Sequence, residues 1–527
     1  MNGDDGIKAT IPHADAADIA YHNVDLRRIA FGSCHSRGAH DWRRRRTLSR
    51  TTSSNDDPTS SASSSSYPSP PAATTIWDVI SSTVKPQTFL WTGDAVYPPR
   101  EIGGDAPVSV LRDEYRRMLD DEDLGYARFL RGISANDDDG IITAHGTWDD
   151  HDYGGNDRGN EMTDKYGRRD AYLEFLNVSR KDHRSRYERE GVYSSMDYYR
   201  GVIDGGGGRG GGGGGIIRVI FLDTRWHREG HFIPSVASNP HVPCGSLISC
   251  ATRWITACLD LPSFMPSWWN SWLSADGGGE LLGENQWEWL GGQLRHSNAS
   301  MHVIVSSIQV LTTNPVVESW GHFPRERARL LRLLNSVPGL IILSGDVHHA
   351  EISSTKTTRG GAMDDDDDAV ASTNGAAIVE VTSSGLTHSC DEPFYGKLCT
   401  PILNAFRAHR ASGGNARDVD SPSYYTGRNF GSIEIDWSTR TFRVCVRDAS
   451  GDVVLSTVRE MDAVANMSEE DMRNIPKCID GHLWPFIRRV AAFHNAGIIL
   501  GCLCLLIYRS VSRRRLTTSE IKKSKRD

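Results

Sequence analysis

Apolar residues in this chain gather into short blocks, and several of the blocks stop abruptly at glycine, aspartate or histidine. Residues 27–34 (RRIAFGSC), 88–91, 141–144, 216–222, 301–311 and 340–344 are blocks of this kind. Their length and β-branched content predict buried strands. Helical spacing predicts four helices between them. One runs over 108–130 with Leu111, Tyr115, Met118 and Leu119 on one side, and a second over 162–176 with Tyr166, Ala171, Tyr172 and Phe175 in the core. A third covers 286–296 with Trp287, Leu290 and Leu294 on one stripe; an Arg-rich fourth, 323–335, turns Leu330, Leu331, Leu333 and Leu334 to a sheet. Residues 193–199 read as a strand paired in a hairpin with 216–222. Strands at 377–381, 433–437, 442–446 and 453–458 close the folded part, the last two joined by the turn Asp448-Ala-Ser-Gly451. Strands alternating with helices predict an α/β fold.

Low-complexity stretches interrupt this pattern. Residues 47–75 are largely Ser, Thr, Pro and Ala behind the basic cluster 43–46, and they lack the apolar area that would offset the entropy of ordering. The glycine run 205–215 imitates a phosphate loop but lacks its Lys-Ser/Thr and following helix, so it reads as a hairpin insertion. Asp364–Asp368, in the acidic loop 361–368, are like charges that repel and stay solvated, a polar tip rather than a metal site. Residues 234–279, with Cys244, Cys250, Cys258 and the WWNSW cluster, show no clear period and suit a lid or an interaction surface.

The 527 residues fit one large catalytic domain over 27–460, preceded by a polar leader, 1–26, with no signal-peptide pattern. A juxtamembrane linker, 461–489, leads to 490–508, which has about the roughly 20 residues that a bilayer-spanning helix needs. The tail, 509–527, carries eight Lys or Arg against two acids, which marks it as cytosolic. A net charge of -8 gives no footprint for nucleic acid, and ten cysteines without a CxxC pair exclude a zinc ribbon.

The chemistry concentrates where the strands stop. GTWDDHDYGGND, 146–157, puts Asp149, Asp150, His151 and Asp152 behind a strand, where open α/β sheets place their sites. WTGDAVY offers Asp94, which can bridge two cations, with Tyr97 three residues on. LSGDVHHAE delivers Asp346, His348 and His349. Cys34 is either a small buried hydrophobe or a thiolate ligand. Arg225, in FLDTRWHR, is either a forked phosphate donor or the partner of Asp223 in a salt bridge, and Gln309 is a candidate amide ligand.

FGSC, WTGDAVY, WDDHDYGGND and LSGDVHHAE occur in the order that resembles the alkaline phosphatase D (PhoD-like) family of the metallophosphoesterase superfamily. FLDTRWHR, LGENQWEWL and VTSSGLTHS extend the resemblance over about residues 27–390. It implies a four-layer α/β/β/α sandwich. It also implies a ferric ion on Cys34, Asp94, Tyr97 and His348, with calcium on Asp94, Asp150 and Asp346. His151 would assist the leaving oxygen or orient the phosphate, and Arg225 would bind it. The implied reaction is in-line attack of a metal-bound hydroxide on a phosphomonoester or phosphodiester, a lipid head group included. The competing reading is a degenerate, membrane-anchored binding or scaffold protein on the same fold; retention of all six ligand types argues against it. Two signals disagree on topology: without a signal-peptide pattern a single C-terminal helix would leave the catalytic domain cytosolic as a tail-anchored protein, whereas the basic tail favours a lumenal domain in the endoplasmic reticulum or secretory pathway, which sequons at Asn177, Asn298 and Asn466 permit and the resemblance of Lys523 and Lys525 to a K-x-K-x-x signal suits.

Overall fold

The computed structural model describes residues 19–23, 25–36, 74–99, 102, 105–135, 144–180, 186–200, 215–231, most of 235–253, 279–312, 314, 316–355, 378–392, 396–405, 423–465 and 467. The 47–75 and 361–368 insertions (but for residues 74–75), nearly all of the glycine run, the 141–143 part of the apolar block before the central motif, and the 490–508 segment with its tail lie outside these residues.

In chain order the main elements are β1 Ile19–Asn23, β2 Arg28–Gly32, α1 Ile76–Thr83, β3 Thr88–Thr92, α2 Val108–Asp120, α3 Tyr126–Ala135, β4 His145–Thr147, α4 Asp150–Tyr153 and α5 Lys165–Phe175. After them come β5 Ser194–Arg200, β6 Gly215–Phe221, α6 Glu284–Arg295, β7 Met301–Val305, α7 Pro324–Leu334, β8 Leu340–Ser344, β9 Ala350–Ser354 and β10 Val379–Ser383. The last are α8 Gly396–Ala405, β11 Tyr424–Tyr425, β12 Asn429–Asp436, β13 Thr441–Asp448 and β14 Val453–Glu460.

The strands form two mixed sheets. One has eight strands in the order β1-β5-β6-β7-β8-β10-β9-β11, and the other has six in the order β14-β13-β12-β2-β3-β4. Strand periodicity decides the layering, because successive side chains point to opposite faces. Ile29 and Phe31 of β2 and Leu90 of β3 meet Val219, Val303 and Leu343 from the large sheet in one core between the sheets. Ala30, Phe89 and Trp91, one position out of phase, join Trp77, Leu111, Phe129 and Phe175 from α1, α2, α3 and α5 in a second core. Ile220, Ile304 and Ile342 do the same on the far side with Trp287, Leu290 and Leu330 of α6 and α7. Two sheets are thus packed face to face with helices outside each.

Several expected elements shift. The single helix expected over 108–130 breaks into α2 and α3, because Asp121 caps a short turn through the Asp123 N–H and Gly125 turns left-handed at φ 84°. Tyr166 is 56% exposed rather than in the core, its ring edge-on to Trp226. The strand expected over 301–311 ends at Val305, since the Leu311 N–H and Val310 N–H are drawn off by the buried Glu380 carboxylate. Residues 19–23, read as part of the leader, form the parallel edge strand β1 beside β5. The expected hairpin of β5 and β6 is present, antiparallel from Ser194↔Phe221 to Arg200↔Gly215. Among the described residues no helix is long and apolar enough to cross a membrane.

Candidate metal centre and active site

β2, β3 and β4 run parallel in the small sheet, as do β6, β7, β8 and β10 in the large one. Their carboxyl ends open toward a common region, and the loops that leave them carry the chemistry. Cys34 follows β2, Asp94 and Tyr97 follow β3, and Asp149, Asp150 and His151 follow β4. Asp223 and Arg225 follow β6, Asp346 and His348 follow β8, and Ser384 and His388 follow β10.

The backbone turns sharply at these ends. Cys34, Asp94, Asp346 and His348 have φ of 62°, 51°, 72° and 58°, in the left-handed region that side chains other than glycine rarely occupy. Gly93 precedes Asp94 at φ 100°, where an added Cβ would lie 2.5 Å from the Asp149 Cβ. The central motif forms one helical turn, α4, rather than an open loop. Asp149 and Asp152 cap it reciprocally, and Asp152 also accepts the Ala95 and Val96 N–H groups, tying the β4 end to the β3 end.

Donor atoms converge in overlapping sets. Cys34, Asp94 and His348 offer atoms within 4.8 Å of one another, as do Asp94, Asp149, Asp150 and Asp346, and Asp94, Asp150 and His151. Asp94 belongs to all of them. The Tyr97 hydroxyl donates to Asp94 Oδ2 at 2.6 Å and lies 3.2 Å from His348 Nε2. The His151 N–H donates to Asp94 Oδ1 at 3.2 Å, and the Asp157 N–H to Asp150 Oδ2 at 2.8 Å. Cys34 Sγ is 3.0 Å from Ser384 Oγ and 3.8 Å from Asp94 Oδ2.

The electrostatics fit a site built for cations. Burial, then the charges of Asp150, Cys34 and Asp149, pushes Asp94 well above the usual carboxylate range. Burial with Asp149 and Asp150 does the same to Asp346, and burial pushes Asp149 to about 8 although Arg225 pulls it down. The Cys34 thiol rises to about 11 by burial, and burial lowers His348 to about 4. Crowded buried carboxylates are costly to ionise unless positive charge is added. Asp149 Oδ2 and Asp150 Oδ1 are buried with no hydrogen-bond partner, so lone pairs are in place for a metal ion. Carboxylates suit hard cations, while thiol, phenol and imidazole suit a transition metal.

All six expected ligands and His151 therefore meet at one site. Arg225 is the correction: its side chain is fully buried, not turned to an open phosphate pocket. Nε donates to Asp149 Oδ1 at 2.5 Å, and Nη1 to both Glu318 oxygens at 2.9 and 3.1 Å. A buried guanidinium needs paired charge, and these two carboxylates supply it in place of the expected Asp223, which accepts the Arg225 backbone N–H instead. Gln309 points its amide nitrogen at Thr382, 3.0 Å away, and at Glu351, and its oxygen meets no hydrogen-bond partner. A fourth donor set, Asp157, His231 and Glu318, is already neutralised by Arg228 and Arg253. Sequence reasoning placed Asp149, Ser384 and His388 inside motifs without giving them roles, and it missed Glu318, which no motif marks.

A family model of PhoD-like phosphatase matches residues 60–445. No curated protein sequence matches the chain. Among solved structures the chain is similar to one titled "Structure of PhoD", with 15% identity, 90% of this chain and 78% of that one covered, and a TM-score of 0.47. It is also similar to GAP50, the anchor in the inner membrane complex of Plasmodium, at 10% identity, 85% and 93% coverage and a TM-score of 0.34. The purple acid phosphatase PPD1 of yellow lupin seeds gives 9% identity, 87% and 57% coverage and a TM-score of 0.36. The family model, spanning most of the chain, decides the assignment: this chain belongs to the PhoD-like phosphatase family, whose members are metal-dependent phosphoester hydrolases.

Proposed function

We propose that the chain hydrolyses phosphomonoesters or phosphodiesters, lipid head groups among them, with a ferric ion and calcium as its metals. The observation that carries this reading is the sharing of Asp94 between the Cys34/His348 donor set and the Asp149/Asp150/Asp346 set. A carboxylate common to a soft and a hard set is what a two-ion centre needs. Cys34, Asp94, Tyr97 and His348 would hold iron, and Asp94, Asp150 and Asp346 would hold calcium. Bound cations supply a water of lowered pKa and neutralise phosphoryl charge. Around them the His151 N–H holds Asp94 Oδ1. The His151 ring, tilted by 32° against Tyr97 at 4.1 Å between centroids, would present an imidazole to the leaving oxygen. Arg225 acts through Asp149, which it holds in place.

We further propose a membrane anchor at 490–508 and a lumenal catalytic domain. The disulfide between Cys390 and Cys399 supports an oxidising compartment, and calcium is plentiful there.

Metal analysis, visible absorption and turnover on a panel of monoesters, diesters and phospholipids test the active-site reading. Purified protein should contain iron and calcium and show a phenolate charge-transfer band that Tyr97→Phe removes. Asp94→Asn should lower metal content and cut turnover by about a thousandfold or more. A colourless, fully active zinc enzyme would refute the iron assignment, and wild-type turnover in Asp94→Asn would refute the site.

A further inference from the structure

The segment after β10, residues 384–390, is bound to both halves of the site. The Leu386 N–H donates to the Ser33 carbonyl at 3.1 Å, and Thr387 Oγ1 accepts the Ser36 N–H at 2.7 Å while donating to the Cys34 carbonyl at 3.3 Å. On the other side the His348 N–H donates to Ser384 Oγ at 2.8 Å and the Cys390 N–H to the His348 carbonyl at 2.7 Å. The disulfide of Cys390 with Cys399 fastens the far end to α8.

This fastening sets His388 over the Tyr97–His348 edge of the donor cluster. Its ring stands edge-on to His348 at 4.4 Å and to Tyr97 at 5.0 Å. His388 Nε2 lies 3.2 Å from His348 Nε2. Two imidazole nitrogens at that distance need one donor and one acceptor. A cation on His348 would take the lone pair of that nitrogen, so the His388 Nε2–H would lose this acceptor and turn to another. His388 belongs to none of the donor sets that converge on Asp94, and it is half-buried where Cys34 and Asp94 are closed off. It stands at the mouth of the centre rather than in its ligand shell.

We propose that His388 is a substrate-contacting residue, its Nε2–H donating to a non-bridging phosphoryl oxygen of the bound phosphoester. The proposal rests on the phosphoesterase reading and adds a residue to it. A hydrogen bond to a charged phosphoryl oxygen is strong enough to change affinity tenfold or more. It also gives the VTSSGLTHS motif a physical role, since Ser384, Thr387 and Cys390 hold the segment so that His388 faces the phosphate.

The test uses the metal-loaded full chain with inorganic phosphate as the probe, alongside turnover of p-nitrophenyl phosphate. His388→Ala should weaken phosphate binding, read by calorimetry, by about tenfold or more and raise KM, with metal content and visible spectrum unchanged. His388→Gln, which keeps an N–H donor, should recover part of the loss. Unchanged phosphate affinity in His388→Ala overturns the proposal, and so does loss of metal in that variant, which would make His388 a ligand. A metal-loaded wild-type chain that neither binds phosphate nor turns over a phosphoester would overturn the phosphoesterase reading as well. An active wild type with an indistinguishable His388→Ala overturns this inference alone.

Discussion

Four residues gathered at the site, Cys34, Asp94, Asp346 and His348, sit in left-handed backbone at a cost on the order of 1 kcal/mol each, which the surrounding sheets must offset. Two of these residues, Asp94 and Asp346, follow glycine directly, in the repeated Thr/Ser-Gly-Asp of β3 and β8. An added Cβ on Gly345 would meet Ser33 Oγ and the Thr92 carbonyl at 2.5 Å, so the glycine lets the two sheets' ends approach. Elsewhere burial is used for structure alone. His302 of β7 lies between the Pro338 carbonyl and the Ser297 hydroxyl, each 2.7 Å away, and burial lowers it to about 4. Its unfolded pKa is near 6.5, so below that pH the unfolded chain binds the extra proton. The neutral imidazole's stability is therefore fully present above about 6.5 and is lost as pH falls toward 4. Compared with His302→Gln, the wild type should lose up to about 3 kcal/mol more over that window, read by urea unfolding at stepped pH. Parallel pH profiles for the two proteins would refute the assignment.

At the scale of elements, the site is made by loops that meet from two sheets, and buried ion pairs hold them together. Glu318 accepts from both Arg225 and Arg228, and Arg228 also donates to the Asp157 carbonyl at 2.9 Å, linking the β6 end to the central motif. Glu318→Gln leaves two buried guanidinium groups short of charge. It should destabilise the fold by about 3–5 kcal/mol in denaturant unfolding, although Glu318 touches none of the proposed metal ligands directly. A loss under about 1 kcal/mol would mean that Asp149 and Asp157 suffice. The Cys390–Cys399 bridge closes a short loop, and removing it with Cys399→Ser should cost about 2–3 kcal/mol. Because the Cys390 N–H holds the His348 carbonyl, the same variant should also loosen metal binding, read as a lower metal occupancy after dialysis. Full occupancy with unchanged stability would show that the bridge is incidental.

At the scale of the whole molecule, the proposed topology predicts that intact microsomes protect the catalytic domain from protease and that Asn177, Asn298 or Asn466 carries glycan. Digestion without detergent, with none of these glycosylated, would reverse it. The amino-acid pattern was enough to fix the α/β class, the β5–β6 hairpin and most strand positions, and it marked the candidate ligands, because strand periodicity and strand-end acids are local properties. The six expected ligands came as a set from the resemblance of four motifs to a known family. Only the tertiary structure decided the rest. The split of one long helix at Asp121–Gly125, the recruitment of residues 19–23 as an edge strand and the shortening of β7 by Glu380 depend on neighbours distant in sequence. Arg225 looked like a phosphate donor because its type and strand-end position permit that role. Burial beside Asp149 and Glu318, 76 and 93 residues away, turned it into a paired internal charge. His388 gained a place at the site only when β10 came to lie beside β8. Residue chemistry is written locally, but which charges share a low-dielectric interior is set by packing across the two sheets.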